Sequence, residues 1–271
     1  MTKHSAFVYT VANQKGGVGK TTTAVNLAAF IAARKARVLV IDADPQANAT
    51  SSLGVRQDGQ GVSLYDTLVN KVPLADIIQP TARPRLSLAP AAPELAAAEV
   101  ELVQVLAREN LLRKALLPVL DDFDFVFIDT PPSLGLLTVN ALTASNQGVI
   151  IPVQCEYLAL EGLSQLMHTI NLVQESLNND LRVAGVVLTM YDGRTNLAAD
   201  VVREVQSYFP EQVFKSIIPR NVRLSEAPSY GEDILAYAPS SPGSKAYLAL
   251  TEELLSRVRK QLAAVQGEAQ S

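Results

Sequence analysis

At 271 residues, 48% of them hydrophobic and 18% charged, the chain can form one large domain or two small ones and is too apolar to be disordered. Its 23 Lys and Arg against 27 Asp and Glu leave a formal charge of −4, which excludes a uniformly basic nucleic-acid coat but not a local basic face. A single cysteine, Cys155, excludes an intramolecular disulfide and any cysteine-built zinc or iron–sulfur site within one chain, and it fits a reducing, cytosolic setting. The first fourteen residues lack the long apolar core of a secretory signal.

In chain order, Phe7–Ala12 reads as a first strand and runs into Lys15-Gly16-Gly17-Val18-Gly19-Lys20-Thr21-Thr22. Ala24, Leu27, Ala28 and Ile31 then recur at helical spacing. A second strand, Val38–Asp42, opens the segment Asp42-Ala43-Asp44-Pro45-Gln46. Ser51–Gly61 and the proline-rich Thr81–Pro93 read as surface loops around a short apolar run, Leu86–Ala89, and the alanine-rich Ala91–Ala98 as a helix start. Phe123–Asp129, Gly148–Val153, Val183–Thr189 and Val213–Ile218 complete the strand candidates. Several are apolar on successive residues, as strands buried on both faces are.

No formal charge lies between Asp129 and Glu156, but Pro131, Pro132, Asn140, Asn146, Gln147 and Pro152 interrupt that stretch, so it reads as buried soluble sequence and not a membrane span. A helix is expected around Leu163, Leu166, Met167, Ile170 and Val173. Another carries the stripe Tyr247, Leu250, Leu254, Val258, Leu262 and Val265. The alternation predicts one α/β domain over 1–266, a doubly wound and mostly parallel sheet of about seven or eight strands flanked by helices, with a frayed tail at 267–271.

The glycine-rich segment sits between a strand and a helix, the context a phosphate-binding loop requires. Glycines bring backbone N–H groups against phosphate oxygens without an intervening Cβ, and the helix N-terminus adds unpaired donors and partial positive charge. Gly16, Gly17, Val18 and Gly19 would supply that cradle. Lys20 would reach the β- and γ-phosphates, the Thr21 hydroxyl would bind Mg²⁺, and Thr22 would donate to the α-phosphate. The usual GxxxxGK[ST] spacing is not met: Gln14 occupies its first glycine position and an extra lysine, Lys15, precedes the paired glycines.

Two carboxylates stand where such a site needs them. Asp129 ends a buried strand at the carboxyl edge where ligands collect in open α/β sheets, placed to hold the hydration shell of magnesium. Asp44 projects further from its strand and is placed to position the attacking water or a metal-bound water. Asp42 reads instead as a strand-end carboxylate bonded to backbone.

KGGVGKTT, DADPQ, IDTPPS and IPRNVRLSEAPS, in that order, resemble the ParA/Soj group of chromosome- and plasmid-partition ATPases, within the deviant Walker A class that also holds MinD. The similarity runs from about Val8 to Val258. It implies ATP and magnesium as cofactors, a homodimer that sandwiches two nucleotides, DNA binding without sequence preference, and hydrolysis stimulated by a ParB-like centromere-binding protein. It also implies a cytoplasmic, nucleoid-associated protein with no membrane partner. Lys15 matches the signature lysine that reaches the partner's nucleotide, and Gly16 the position where a bulkier residue would obstruct that approach. Lys20, Thr21, Asp44 and Asp129 match the phosphate, magnesium and water-positioning residues.

Iron–sulfur relatives need more cysteines than Cys155 alone. A MinD-like, membrane-recruited positioning ATPase is the alternative, but the C-terminal stripe lacks Phe or Trp and its basic face is diluted by Glu252 and Glu253. It reads as a helix packed on the domain. For DNA, Arg223 and then Arg220, near Lys215 and Lys245, are the candidate phosphate contacts. The alternative is that they pair with Glu226, Glu232 or Asp233. Met190, Pro219 and Asn221 are candidates for the adenine pocket, with plain core packing the alternative for Met190.

Overall fold

The computed structural model describes residues 6–55, 61–156 and 161–268, without the side chains of 161 and 265–268. Residues 1–5 of the expected domain, residues 269–271 of the expected tail and the Val265 side chain lie outside that description. Seven strands form one sheet: β1 (Phe7–Val11), β2 (Val38–Asp42), β3 (Gln79–Pro80), β4 (Leu86–Ala89), β5 (Phe125–Asp129), β6 (Gly148–Gln154) and β7 (Val183–Thr189). Their order is β3-β4-β2-β5-β1-β6-β7, and every pairing is parallel except β3 with β4.

Between the strands lie α1 (Lys20–Ala32), α2 (Asn48–Ser52), α3 (Leu64–Leu68), α4 (Leu74–Ile77), α5 (Leu95–Glu101), α6 (Leu111–Leu116) and α7 (Leu136–Ala144). They are followed by α8 (Glu161–Ser176), α9 (Asn196–Tyr208), α10 (Val222–Glu226), α11 (Ile234–Tyr237) and α12 (Pro242–Glu268).

Successive strand residues feed opposite layers, as the pleat requires. Val38 and Val40 join the cluster of α1 and α12, while Leu39 and Ile41 join the cluster of α3 to α7. Val149, Ile151, Val153, Val186 and Leu188 pack under α8 and α9. Two cross-strand ring pairs, Phe7–Phe125 at 5.3 Å and Tyr9–Phe127 at 5.7 Å, stack along the β1–β5 register. Four residues of the C-terminal stripe, Tyr247, Leu250, Leu254 and Val258, are buried, largely against α1.

Two local expectations change. Ser51 and Ser52 belong to α2, not to a loop, and residues 56–60 of that stretch lie outside the described part. Val213–Ile218 is not a strand. It carries one isolated bridge to the sheet edge, Val213 with Val186, and a second, Pro219 with Tyr191, lies just beyond it. Phe214 and Ile218 still donate their N–H groups to Val186 and Leu188, but the Glu253 carboxylate of α12 takes those of Lys215 and Ser216, at 3.0 and 3.1 Å. A side chain has replaced the ladder in mid-run. The short antiparallel β3 has no apolar run to announce it in the sequence.

Candidate functional site

The site lies at the carboxyl edge of the central strands, where β1 passes into α1. Backbone in the left-handed region is needed at Gly17 (φ +73°) and at Gly19 (φ +89°), which a side chain would strain. Gly16 is different: its φ is not in that region and nothing lies within 4 Å of where a Cβ would stand. No contact among the described residues demands glycine there.

Two buried side chains hold the loop, and sequence reasoning missed both roles. Asn13 donates from Nδ2 to the Pro152 carbonyl at 2.7 Å and accepts the Lys15 N–H at 3.0 Å. Thr189, at the end of β7, donates its hydroxyl to the Val18 carbonyl at 2.8 Å. The only trace in sequence is a polar residue at the end of an apolar run.

Lys20 opens α1, and its Nζ donates to the Lys15 carbonyl at 3.3 Å. Burial pushes its pKa below the usual lysine value, opposed by the charges of Asp129 and Asp44. The next residue, Thr21, donates its hydroxyl to Asp129 Oδ2 at 2.6 Å. Asp129 is fully buried, and its Oδ1 has no hydrogen-bond partner among the described residues. Burial, then the neighbouring Asp42 charge, raises the Asp129 pKa well above the carboxylate range.

Asp42 and Asp129 are register partners on β2 and β5. Asp42 accepts the N–H and hydroxyl of Thr50 at 2.8 and 2.7 Å and the Asp44 N–H at 3.1 Å. It therefore shapes the turn that carries Asp44, and burial lifts its pKa to about 6.

Gly16, Gly17, Lys20, Thr21, Thr22 and Asp44 share a cleft of about 370 Å³, which Pro132 and Pro228 also line. A neighbouring cleft of about 280 Å³ is lined by Thr189, Pro219, Asn221 and Tyr247. Gly19, Thr22 and Met190 border both. Met190 is partly exposed at φ +52° and lies between the clefts, not in the core. Asn221 Oδ1 is buried there without a partner among the described residues.

The two candidate DNA arginines lie close by on the surface. Arg223 pairs with Glu226 at 2.8 Å and Arg220 with Glu156, whereas Asp233 is held by Arg83.

Among the described residues, no group of three or more His, Cys, Asp or Glu is arranged to hold a metal alone. The residues present do fit magnesium, which takes one or two carboxylates, water and substrate phosphates in place of a protein cage. Thr21 supplies a hydroxyl, and Asp129 a buried carboxylate with an unpartnered oxygen and no local cation strong enough to offset its burial.

Comparison with known proteins identifies the family. A family described as an AAA domain matches residues 6–183. The chain is 54% identical over 247 residues to the chromosome partitioning protein ParA of Myxococcus xanthus, covering 91% of this chain and 87% of that protein. It is likewise 54% identical over 247 residues to the sporulation initiation inhibitor protein Soj of Bacillus subtilis, covering 91% and 97%. Among solved structures, cobyrinic acid a,c-diamide synthase from Mycobacterium smegmatis, with bound ATP analogue and magnesium, superposes with a TM-score of 0.82. That chain is 38% identical, with 94% of this chain and 96% of that one covered. By sequence identity over nearly its whole length, the chain belongs to the ParA/Soj family of chromosome-partitioning ATPases.

Proposed function

We propose that the protein is an ATP-timed switch on DNA. Two copies close over two ATP molecules, the closed dimer binds DNA without sequence preference, and a ParB-like partner stimulates hydrolysis and releases it. The observation that carries this reading is the larger cleft, in which Lys20, Thr21 and Asp44 line one space with the glycine loop. Gly16 supports the dimer, because the space beside it is required by none of the described residues of its own subunit.

Within the cleft, loop N–H groups and Lys20 bind the β- and γ-phosphates, and Thr22 lies on the side toward the second cleft. Thr21 and Asp129 would hold magnesium, which supplies positive charge to the phosphate oxygens when bound. Asp44 orients the water that attacks the γ-phosphate in line. Lys15 extends to the partner's nucleotide and stabilises charge that develops there. Met190, Pro219 and Asn221 receive the base, whose exocyclic amine can satisfy the unpartnered Asn221 oxygen.

The membrane-recruited alternative has less support, since Tyr247, Leu250, Leu254 and Val258 of the α12 stripe already pack in the cluster with α1. No helix among the described residues is long and apolar enough to cross a membrane.

Sedimentation of an Asp44→Ala protein with ATP tests the timer. Turnover should stop while nucleotide stays bound, so the dimer should accumulate. A persistent monomer would contradict the closed sandwich.

A further inference from the structure

We infer that Asn13 is a positioning residue for Lys15. The inference rests on the reading of Lys15 as the group that crosses to the partner's nucleotide, and it adds what sets that group in place. Asn13 is 4% exposed, so its amide must be paired inside the protein. Nδ2 donates to the Pro152 carbonyl of β6 at 2.7 Å, and Oδ1 accepts the Lys15 N–H at 3.0 Å. The Lys15 carbonyl in turn receives Lys20 Nζ at 3.3 Å. A hydrogen-bonded path therefore runs from β6, through the Asn13 side chain, to the Lys15 N–H, while Lys20 holds the carbonyl on the other side of Lys15 Cα.

The chemistry of the side chain is demanding. Donating to a carbonyl at one end and accepting from an N–H at the other needs a group with both functions at fixed separation. Aspartate keeps the acceptor but sets a carboxylate oxygen against the Pro152 carbonyl. Alanine leaves the buried Pro152 carbonyl and the partly buried Lys15 N–H open.

The need is specific to this lysine. Val18, later in the loop, has its own tether from Thr189, and Gly17 and Gly19 dictate the turn around it. Asn13 therefore governs the Lys15 end of the loop and leaves the phosphate cradle to other residues. A flexible lysine must find a second subunit's phosphates, and fixing its backbone removes much of that search before the subunits meet.

The test compares Asn13→Ala, Lys15→Ala and the double variant for ATP affinity, ATP turnover and ATP-dependent dimerisation. Asn13→Ala should bind ATP within about threefold of the parent and lose on the order of tenfold or more in turnover. The double variant should turn over no more slowly than Lys15→Ala, because one interaction cannot be removed twice.

Parental turnover in Asn13→Ala beside an impaired Lys15→Ala overturns the inference alone. So does a double variant much slower than Lys15→Ala, or a loss of ATP affinity in Asn13→Ala as complete as a Lys20→Ala change would cause. Parental turnover in Lys15→Ala overturns the cross-subunit reading, and this inference with it. If Asn13→Ala does not fold, Asn13→Ser takes its place: its hydroxyl is neutral and too short to span both the Pro152 carbonyl and the Lys15 N–H, so it should fold more readily and show the same split between affinity and turnover.

Discussion

Asp42 and Asp129 put two carboxyl groups, both wholly buried, at the ends of adjacent strands. For Asp42, burial outweighs three hydrogen-bond donors, and its pKa rises from 3.8 to about 6. The folded protein thus holds a proton that the unfolded chain releases in that interval. Stability from this group is complete below the unfolded value and is lost as pH rises through the folded one. An Asp42→Asn protein cannot ionise at this position and escapes that loss. Urea unfolding without nucleotide or magnesium, from about pH 4 to about pH 7, should show the parent losing stability relative to the variant. A constant difference across the range would mean that Asp42 is held as an anion without penalty.

At the level of elements, the edge segment after β7 shows how a local contact displaces regular structure. Arg257 of α12 donates to the carbonyls of Ala184, Gln212 and Val213 and lies 3.9 Å over the Phe214 ring. Together with Glu253 it seats residues 212–218 against β7 without a continuous ladder. The same ring makes Gly185 indispensable, since a Cβ there would stand 2.2 Å from Phe214 Cε2. Phe214 is itself among the largest fully buried side chains and has little room to retreat. Gly185→Ala should cost about 1–3 kcal/mol in urea denaturation, the usual range for overpacking a tight core. An unchanged midpoint would show that the ring can move aside freely. Because this segment leads straight into Pro219 and Asn221, its seating also sets the wall of the smaller cleft.

Across the whole molecule, the acidic total of −4 must be reconciled with the proposed DNA contact. Arg220 and Arg223 are both more than half exposed, and each pairs with a glutamate. Exposed pairs of this kind contribute about 0–1 kcal/mol, so a DNA phosphate can displace the glutamate at small cost. One such patch is weak; a dimer presents it twice. Binding to duplex DNA of arbitrary sequence should therefore require ATP and fall steeply with salt. Arg223→Glu should weaken it and flatten the salt dependence, by roughly 0.9 in the log–log slope for each phosphate no longer neutralised. Filter binding across a salt series checks this, and an Arg223→Glu protein that matches the parent would remove the assignment.

Much of this was legible in the linear sequence, for a physical reason: parallel strands buried on both faces need long apolar runs, and six of the seven expected runs became strands. The glycine loop was equally plain, because left-handed backbone at Gly17 and Gly19 is written in residue type. So were Thr21 and Asp129 as partners in one site, through their places at a helix start and a strand end. The rest depended on contacts between residues far apart in the chain. Glu253 cancels a strand it does not adjoin in sequence, and Asn13 meets Pro152 from 139 positions away. The unpartnered oxygens of Asp129 and Asn221 exist only because folding has removed water from them. Periodicity and residue type report what a segment can form locally; which buried polar groups find partners is decided only when distant segments pack.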